Sequence, residues 1–229
     1  MIRRTGALAL LVAAVACAPA AAKPIAVNVR VEGVHKTLFE GRVLTRVHKV
    51  SSGDGTGAHK CDGTNNSGSP NPGPTLLGAF DDALDQADVS WTGKYFPDFE
   101  DFSIDRVGPD SSDTKRNRYW GQVLNFKDTQ VGGCQQQLKA GDKVLVAFNS
   151  YGHPKLKLTG PHHATPGQAF RVTVVDGQTG KPYEGATVRK NLTDAQGHVQ
   201  VMLPRRGTFR FKARDFGAVR SNALVVHAG

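Results

Sequence analysis

Apolar and polar positions change period along the chain, and each change marks an element. Residues Ile25 to Val31 and Thr37 to Leu44 are short β-rich runs, joined by Glu32-Gly33-Val34-His35-Lys36, a glycine-containing connection of hairpin length. Ser51 to Pro74 is Gly, Ser, Asn, Asp and Pro with almost no apolar residue, which predicts a long surface loop that buries nothing. Thr75 to Ala87 switches to helical spacing: Leu76, Ala79, Phe80, Ala83, Leu84 and Ala87 share one face, with Asp81, Asp82 and Asp85 on the other. Three more strands are predicted at Phe99 to Val107, Arg118 to Phe126 and Lys143 to Asn149. A helix between a hairpin and a later set of strands must cover a sheet face, so residues 23–155 are expected to form an α+β domain with a mixed sheet.

Beyond Thr159-Gly160-Pro161 the period becomes two. Phe170, Val172 and Val174, then Val199, Val201 and Leu203, then Phe209, Phe211 and Ala213 alternate with more polar residues. Gly177-Gln178-Thr179-Gly180 and Asp194-Ala195-Gln196-Gly197 supply hairpin-type turns between such runs. Residues 156–229 are therefore expected to be a small all-β sandwich.

The N-terminus has a different logic. Arg3 and Arg4 precede the apolar run Ala7 to Ala16, and Ala20-Ala21-Ala22 then offers the small residues a signal peptidase needs. The run is shorter than the roughly 17 residues needed to span a bilayer. Residues 1–22 are read as a signal peptide and the protein as secreted; the alternative is a lipid anchor on Cys17, because Ala14-Val15-Ala16-Cys17 loosely resembles a lipoprotein cleavage box.

Composition adds two points. The 26 Gly among 229 residues agree with a turn-rich chain, and the body has no apolar run of about 18 residues, which excludes a multi-span helical membrane protein. Loss of Arg3 and Arg4 lowers the formal charge from +9 to +7, and the excess is uneven: residues 23–155 balance, whereas residues 156–229 hold eleven basic against four acidic residues. Arg210, Lys212 and Arg214 alternate with Phe209, Phe211 and Ala213, so they are expected on the solvent face of a strand, with Arg205 and Arg206 at its preceding turn. These five are the candidate contacts for an anionic cell-envelope polymer. No recognition helix or stacking motif accompanies them, so nucleic acid is not expected.

Chemistry-bearing motifs are sparse. Neither Gly-x-Ser-x-Gly nor His-Glu-x-x-His occurs. Asp98, Glu100, Asp101 and Asp105 read as a solvated edge, since neighbours on a strand face opposite sides, and His162-His163 read as exposed imidazoles. No catalytic residue, metal or cofactor is assigned. Trp91 and Tyr95 stand between the helix and the next strand, and Tyr119-Trp120 are adjacent, so only one of that pair can face a core. These four aromatics are the candidate ligand contacts, for a sugar, a tetrapyrrole-like ring or a protein surface. Cys61 and Cys134, an even pair in an exported chain, are most simply a disulfide. The alternatives are two separate thiols, or a metal site with His59 that lacks a fourth ligand.

Several short motifs carry a resemblance. Val31-Glu32-Gly33 with Thr37-Leu38-Phe39-Glu40-Gly41, His59-Lys60-Cys61-Asp62-Gly63-Thr64-Asn65, Asp98-Phe99, Tyr119-Trp120-Gly121, Gly132-Gly133-Cys134 and Gly141-Asp142-Lys143-Val144-Leu145 resemble an uncharacterised family of secreted microbial domains. That family is similar to the C-terminal β-grasp domain of transcobalamin-like proteins. The resemblance covers residues 27–149 and implies a β-grasp fold there. Residues 160–229 resemble immunoglobulin-like or carboxypeptidase-regulatory-like sandwiches through Gly185-Ala186-Thr187-Val188, Thr193-Asp194-Ala195-Gln196-Gly197 and Arg220-Ser221-Asn222-Ala223-Leu224. The helical barrel that completes the cobalamin cleft in the vitamin transporters has no counterpart in the sequence, so cobalamin is not the expected ligand. The expectation is an exported, non-enzymatic binding or surface-interaction protein for an anionic envelope polymer, a glycan or a surface protein. A secreted hydrolase with an unrecognised site and a structural envelope component are the alternatives.

Overall fold

The computed structural model describes residues 23–229. The segment expected to be a signal peptide, residues 1–22, and Cys17 within it lie outside the described residues. Strand β1 (Ile25–Glu32) and strand β2 (Thr37–Thr45) form the predicted hairpin. They belong to a five-stranded sheet in the spatial order Lys127–Asp128, Trp120–Leu124, Lys143–Phe148, β1, β2, in which β1 runs parallel to Lys143–Phe148 and every other pairing is antiparallel.

Helix α1 (Leu76–Ala87) covers one face of this sheet. The Thr75 hydroxyl accepts a hydrogen bond from the Gly78 N–H at 3.1 Å and caps the N-terminus, and Asp88, at φ 53°, closes the other end. Leu76, Leu77, Ala79, Phe80, Ala83 and Leu84 are buried against Val27, Val29 and Val31 of β1 and against Val43, Val144 and Val146. Each Leu or Phe so buried contributes about 1.5–3 kcal/mol, which holds a 12-residue helix that would be marginal alone.

The α+β, β-grasp expectation is corrected by the whole. Strands and bridges make 43% of the described residues and helix only 9%, with a single α-helix and many small sheets, so the fold is β-rich. Two segments also differ locally from expectation. Phe99 to Val107 is no sheet strand: Asp101–Phe102 pairs with Tyr95–Phe96, and Arg106–Val107 with Trp91–Thr92 and Asp110–Ser111, all two-residue ladders. Glu100 turns into the left-handed region (φ 48°), and the Asp101 carboxylate accepts backbone N–H bonds from Phe102 (2.7 Å) and Cys134 (3.0 Å), so side-chain bonding to the backbone interrupts the strand.

The 51–74 segment is the second. It buries Ser52, Cys61 and Asn65, and His59–Cys61 pairs with His48–Val50. The Asn65 amide donates to the carbonyls of Lys60 (2.8 Å) and Glu100 (2.7 Å), so a polar side chain does the anchoring that apolar residues do elsewhere. Cys61 and Cys134 are joined in a disulfide, with Cα atoms 4.5 Å apart, which excludes both free thiols and a metal site on these sulfurs.

The C-terminal part has its own core, built from Leu156, Leu158, Val172, Val174, Val201, Phe211 and Val226 among others. The alternating runs do turn their apolar members to this core, with Phe170 and Phe209 only partly buried. Instead of two sheets face to face, however, three three-stranded sheets surround this core: one around Ala169–Asp176, one around Leu224–Ala228 and one around Thr187–Val188.

Candidate functional site

Alternation on β1 has a second consequence. While Val27, Val29 and Val31 point to the helix, Asn28, Arg30 and Glu32 point to the other face, where Arg30 lies opposite Leu145 and Glu40, and Asn28 opposite Lys143 and Arg42. No helix among the described residues covers this face. The C-terminal part covers one end of it.

That contact is partly apolar and largely ionic. Val219 packs on Val123, Leu145 and Ala147. Glu32, 2% exposed, accepts from the Lys212 ammonium, from Arg220 Nε (2.8 Å) and from the Thr37 hydroxyl (3.0 Å). Glu40 is bound by Lys212 (2.8 Å) and Arg210 (2.9 Å) and accepts the Ala223 N–H (2.8 Å). Burial opposes ionisation of Glu40, but the charge and hydrogen bond of Lys212 outweigh it and hold the carboxyl below its usual range. On the far side Lys155, 1% exposed, pairs with Asp128 at 2.6 Å.

Lys212 is therefore corrected as a solvent-facing residue: its side chain is 11% exposed and lies between two carboxylates. Arg210 is half-exposed but tied to Glu40. Arg205, Arg206 and Arg214 are exposed, so only three of the five predicted polyanion contacts are free on the surface. The alternation along Phe209, Phe211 and Ala213 is as expected; what it does not reveal is the second part that packs against the polar face.

Toward the other end of the uncovered face a groove of about 820 Å³ opens between the two parts. Its cations are Arg30, Arg42 and Lys143 from the sheet and Lys157 and Arg210 from the C-terminal part, against the single carboxylate Glu40, already engaged. Leu145, Leu158, Leu224 and Phe126 supply apolar wall. Among the described residues Arg42, Lys143 and Lys157 have no carboxylate within ion-pairing distance.

Two features of this groove are unusual. Arg30 is 6% exposed, its nearest carboxylate contact is 3.8 Å from Nε to Glu32, and its Nη1 is buried with no hydrogen-bond partner. Burial lowers its pKa from the ordinary arginine value, against the attraction of Glu32 and Glu40. The second is Phe126, which sits at φ 69° in the Asn125-Phe126 turn, a conformation costly for a bulky residue. Its ring lies 6.0 Å from the Arg30 guanidinium and 5.9 Å from the Lys143 ammonium, and it leaves no room for a Cβ on Gly177. The turn thus delivers an aromatic face between two cations.

The predicted aromatic contacts do not form one platform. Trp91 is buried, donates from Nε1 to Asp81 (2.7 Å) and meets Phe80 and Phe102 edge-on, so it is core. Tyr95 is half-buried and stacks on His59 with ring centres 3.6 Å apart. Trp120 is 7% exposed and packs edge-on against Phe148, while Tyr119 is 47% exposed. None of the four lines the groove. Sequence reasoning missed Arg30, Arg42, Lys143 and Phe126; the one available signal was an arginine at an alternating position of the predicted first strand.

No cluster of three or more His, Cys, Asp or Glu residues suited to a metal ion occurs among the described residues. No helix among them is long and apolar enough to cross a membrane.

No protein-family model matches the chain, and no curated protein matches it. Among solved structures, haptocorrin in complex with Cbi is similar over 56% of this chain and 26% of that chain, at 14% identity and a TM-score of 0.40. The chain spans about a quarter of that protein, and the likeness establishes neither a family nor a site.

Proposed function

We propose that the protein is exported and acts as a non-enzymatic binding protein whose ligand occupies the groove between its two parts. The observation that carries this reading is the preformed 820 Å³ groove, of the size that accommodates a small molecule or a short chain segment, lined by residues from both parts. Its walls combine apolar side chains with several charged groups, as ligand sites do. The ligand classes in view are an anionic envelope polymer, a glycan or a segment of a surface protein. The Cys61–Cys134 disulfide supports an oxidising compartment, and the N-terminal signal pattern supports export.

The test is a calorimetric screen of the mature protein against corrinoids, neutral and acidic glycans and anionic envelope polymers. A groove-filling variant, Lys157→Trp, runs alongside. Binding that Lys157→Trp abolishes supports the reading. Failure of every class to bind, with the protein still folded, overturns it in favour of a structural envelope role; turnover of a glycan or peptide overturns the non-enzymatic part. The intact mass of the exported form checks processing before Lys23, and lipid on Cys17 would make the protein membrane-tethered.

A further inference from the structure

We infer that this groove takes an oxyanion, a carboxylate or phosphate carried by the ligand, seated against Arg30 and Lys143 beside the Phe126 ring. The inference rests on the binding-protein reading and adds the chemistry of what is bound. Buried polar groups almost always have partners, and a guanidinium withdrawn from water with Nη1 unbonded is a costly exception.

The internal carboxylates near Arg30 are shared with other cations, and its own contact to Glu32 is long, at 3.8 Å. Glu32, the nearest carboxylate, is already engaged by Lys212 and Arg220, and Glu40 by Lys212 and Arg210. Four cations therefore share these two carboxylates once Arg30 is counted. Lys143 and Arg42 add positive charge along the same face of the sheet, and Lys157 adds it from the opposite wall. A positive field confined between low-dielectric walls concentrates anions. An oxyanion placed here gives Arg30 counter-charge beyond its share of Glu32 and Glu40, which three other cations already engage. Phe126 and Leu145 offer apolar surface for the body that bears it, such as the ring of an acidic sugar.

The probes are inorganic phosphate and a uronic-acid trisaccharide, titrated calorimetrically into mature protein, with the neutral trisaccharide as control. We expect one saturable site, affinity that falls as salt rises, and no binding of the neutral control. Tighter binding of the uronic acid assigns a carboxylate, and tighter binding of phosphate assigns a phosphate group. Arg30→Met should weaken binding about 10- to 100-fold, the loss expected for hydrogen bonds to a charged group. Lys143→Gln, at an exposed site, should weaken it by a few-fold without touching the core, and it decides the matter if Arg30→Met fails to fold.

The triple change Arg205→Gln, Arg206→Gln and Arg214→Gln should leave binding unchanged. Binding that survives both groove variants, or that the triple change removes, overturns the inference, as does the absence of any anion binding up to about 10 mM. A neutral ligand bound in the groove and lost in Lys157→Trp would overturn the anion assignment while leaving the binding-protein reading standing.

Discussion

Replacing Glu32 by Gln tests whether the ionic contact between the two parts contributes to stability. The carboxylate is 2% exposed and is shared by Lys212, Arg220 and Thr37, with Arg30 beside it. Removing one member of a buried pair typically costs about 3–5 kcal/mol, because the other charge is left uncompensated. Here the loss is smaller than that of a fully orphaned pair. Lys212 keeps Glu40 at 2.8 Å and Thr37 at 2.7 Å, and Arg220 keeps the carbonyls of Val34 and Lys36 at 3.1 and 2.9 Å. We therefore expect about 2–4 kcal/mol for Glu32→Gln.

The assay is urea unfolding at neutral pH, completed as a double-mutant cycle with Lys212→Met. The two residues are in direct contact, so the cycle should return a coupling of about 1–3 kcal/mol. Because the contact joins the two cores, Glu32→Gln should also broaden the transition or split it in two. A cost below about 1 kcal/mol, the value for an exposed pair, would refute the reasoning and return Lys212 to the surface role that strand alternation alone suggests.

Changing Cys61 and Cys134 together to Ser should lower stability by up to about 4 kcal/mol, since the bridge closes a 73-residue separation; wild-type protein under reductant should unfold at the same urea concentration as the variant. His48 faces Asp81 and Asp82 at 3.7 and 3.8 Å, and the Asp81 carboxylate, with the Arg46 carbonyl and Asp82, raises its pKa to about 9 against burial. A raised histidine pKa gives stability that is complete below about pH 6.5 and lost as pH rises through about 9. The separations are those of an ion pair without a direct hydrogen bond, so about 1 kcal/mol is expected, and His48→Asn should flatten that part of the pH–stability curve. Gly132→Ala should destabilise measurably by thermal melt, because a Cβ there would lie 1.9 Å from the Asp101 carboxylate that accepts the Cys134 N–H; an unchanged melting temperature would show that the Asp101 contact is dispensable. Replacing Arg205, Arg206 and Arg214 by Gln should shift stability by less than about 0.5 kcal/mol, whereas adding Lys212→Gln should not be neutral.

Local pattern determined what local physics controls. Periodicity placed β1, β2, α1 and the strands at Trp120–Leu124 and Lys143–Phe148 within a few residues, because an apolar face repeats with the geometry of the element that buries it. It failed at Phe99 to Val107 and at Ser51 to Pro74, where side chains of Asp101 and Asn65 bond to distant backbone and substitute for ladder or core. Two cysteines in an export pattern were enough to suggest a bridge.

Tertiary structure alone decided what faces the outer side of each strand. Alternation says that Arg30 and Lys212 point away from the hydrophobic core of their own part, and for an isolated part that means water. The two parts pack those faces together, so Lys212 meets Glu32 across 180 residues of sequence and becomes buried, while Arg30 becomes the floor of a groove. Burial of a charge is a property of what packs over it, and no spacing within one strand encodes that partner.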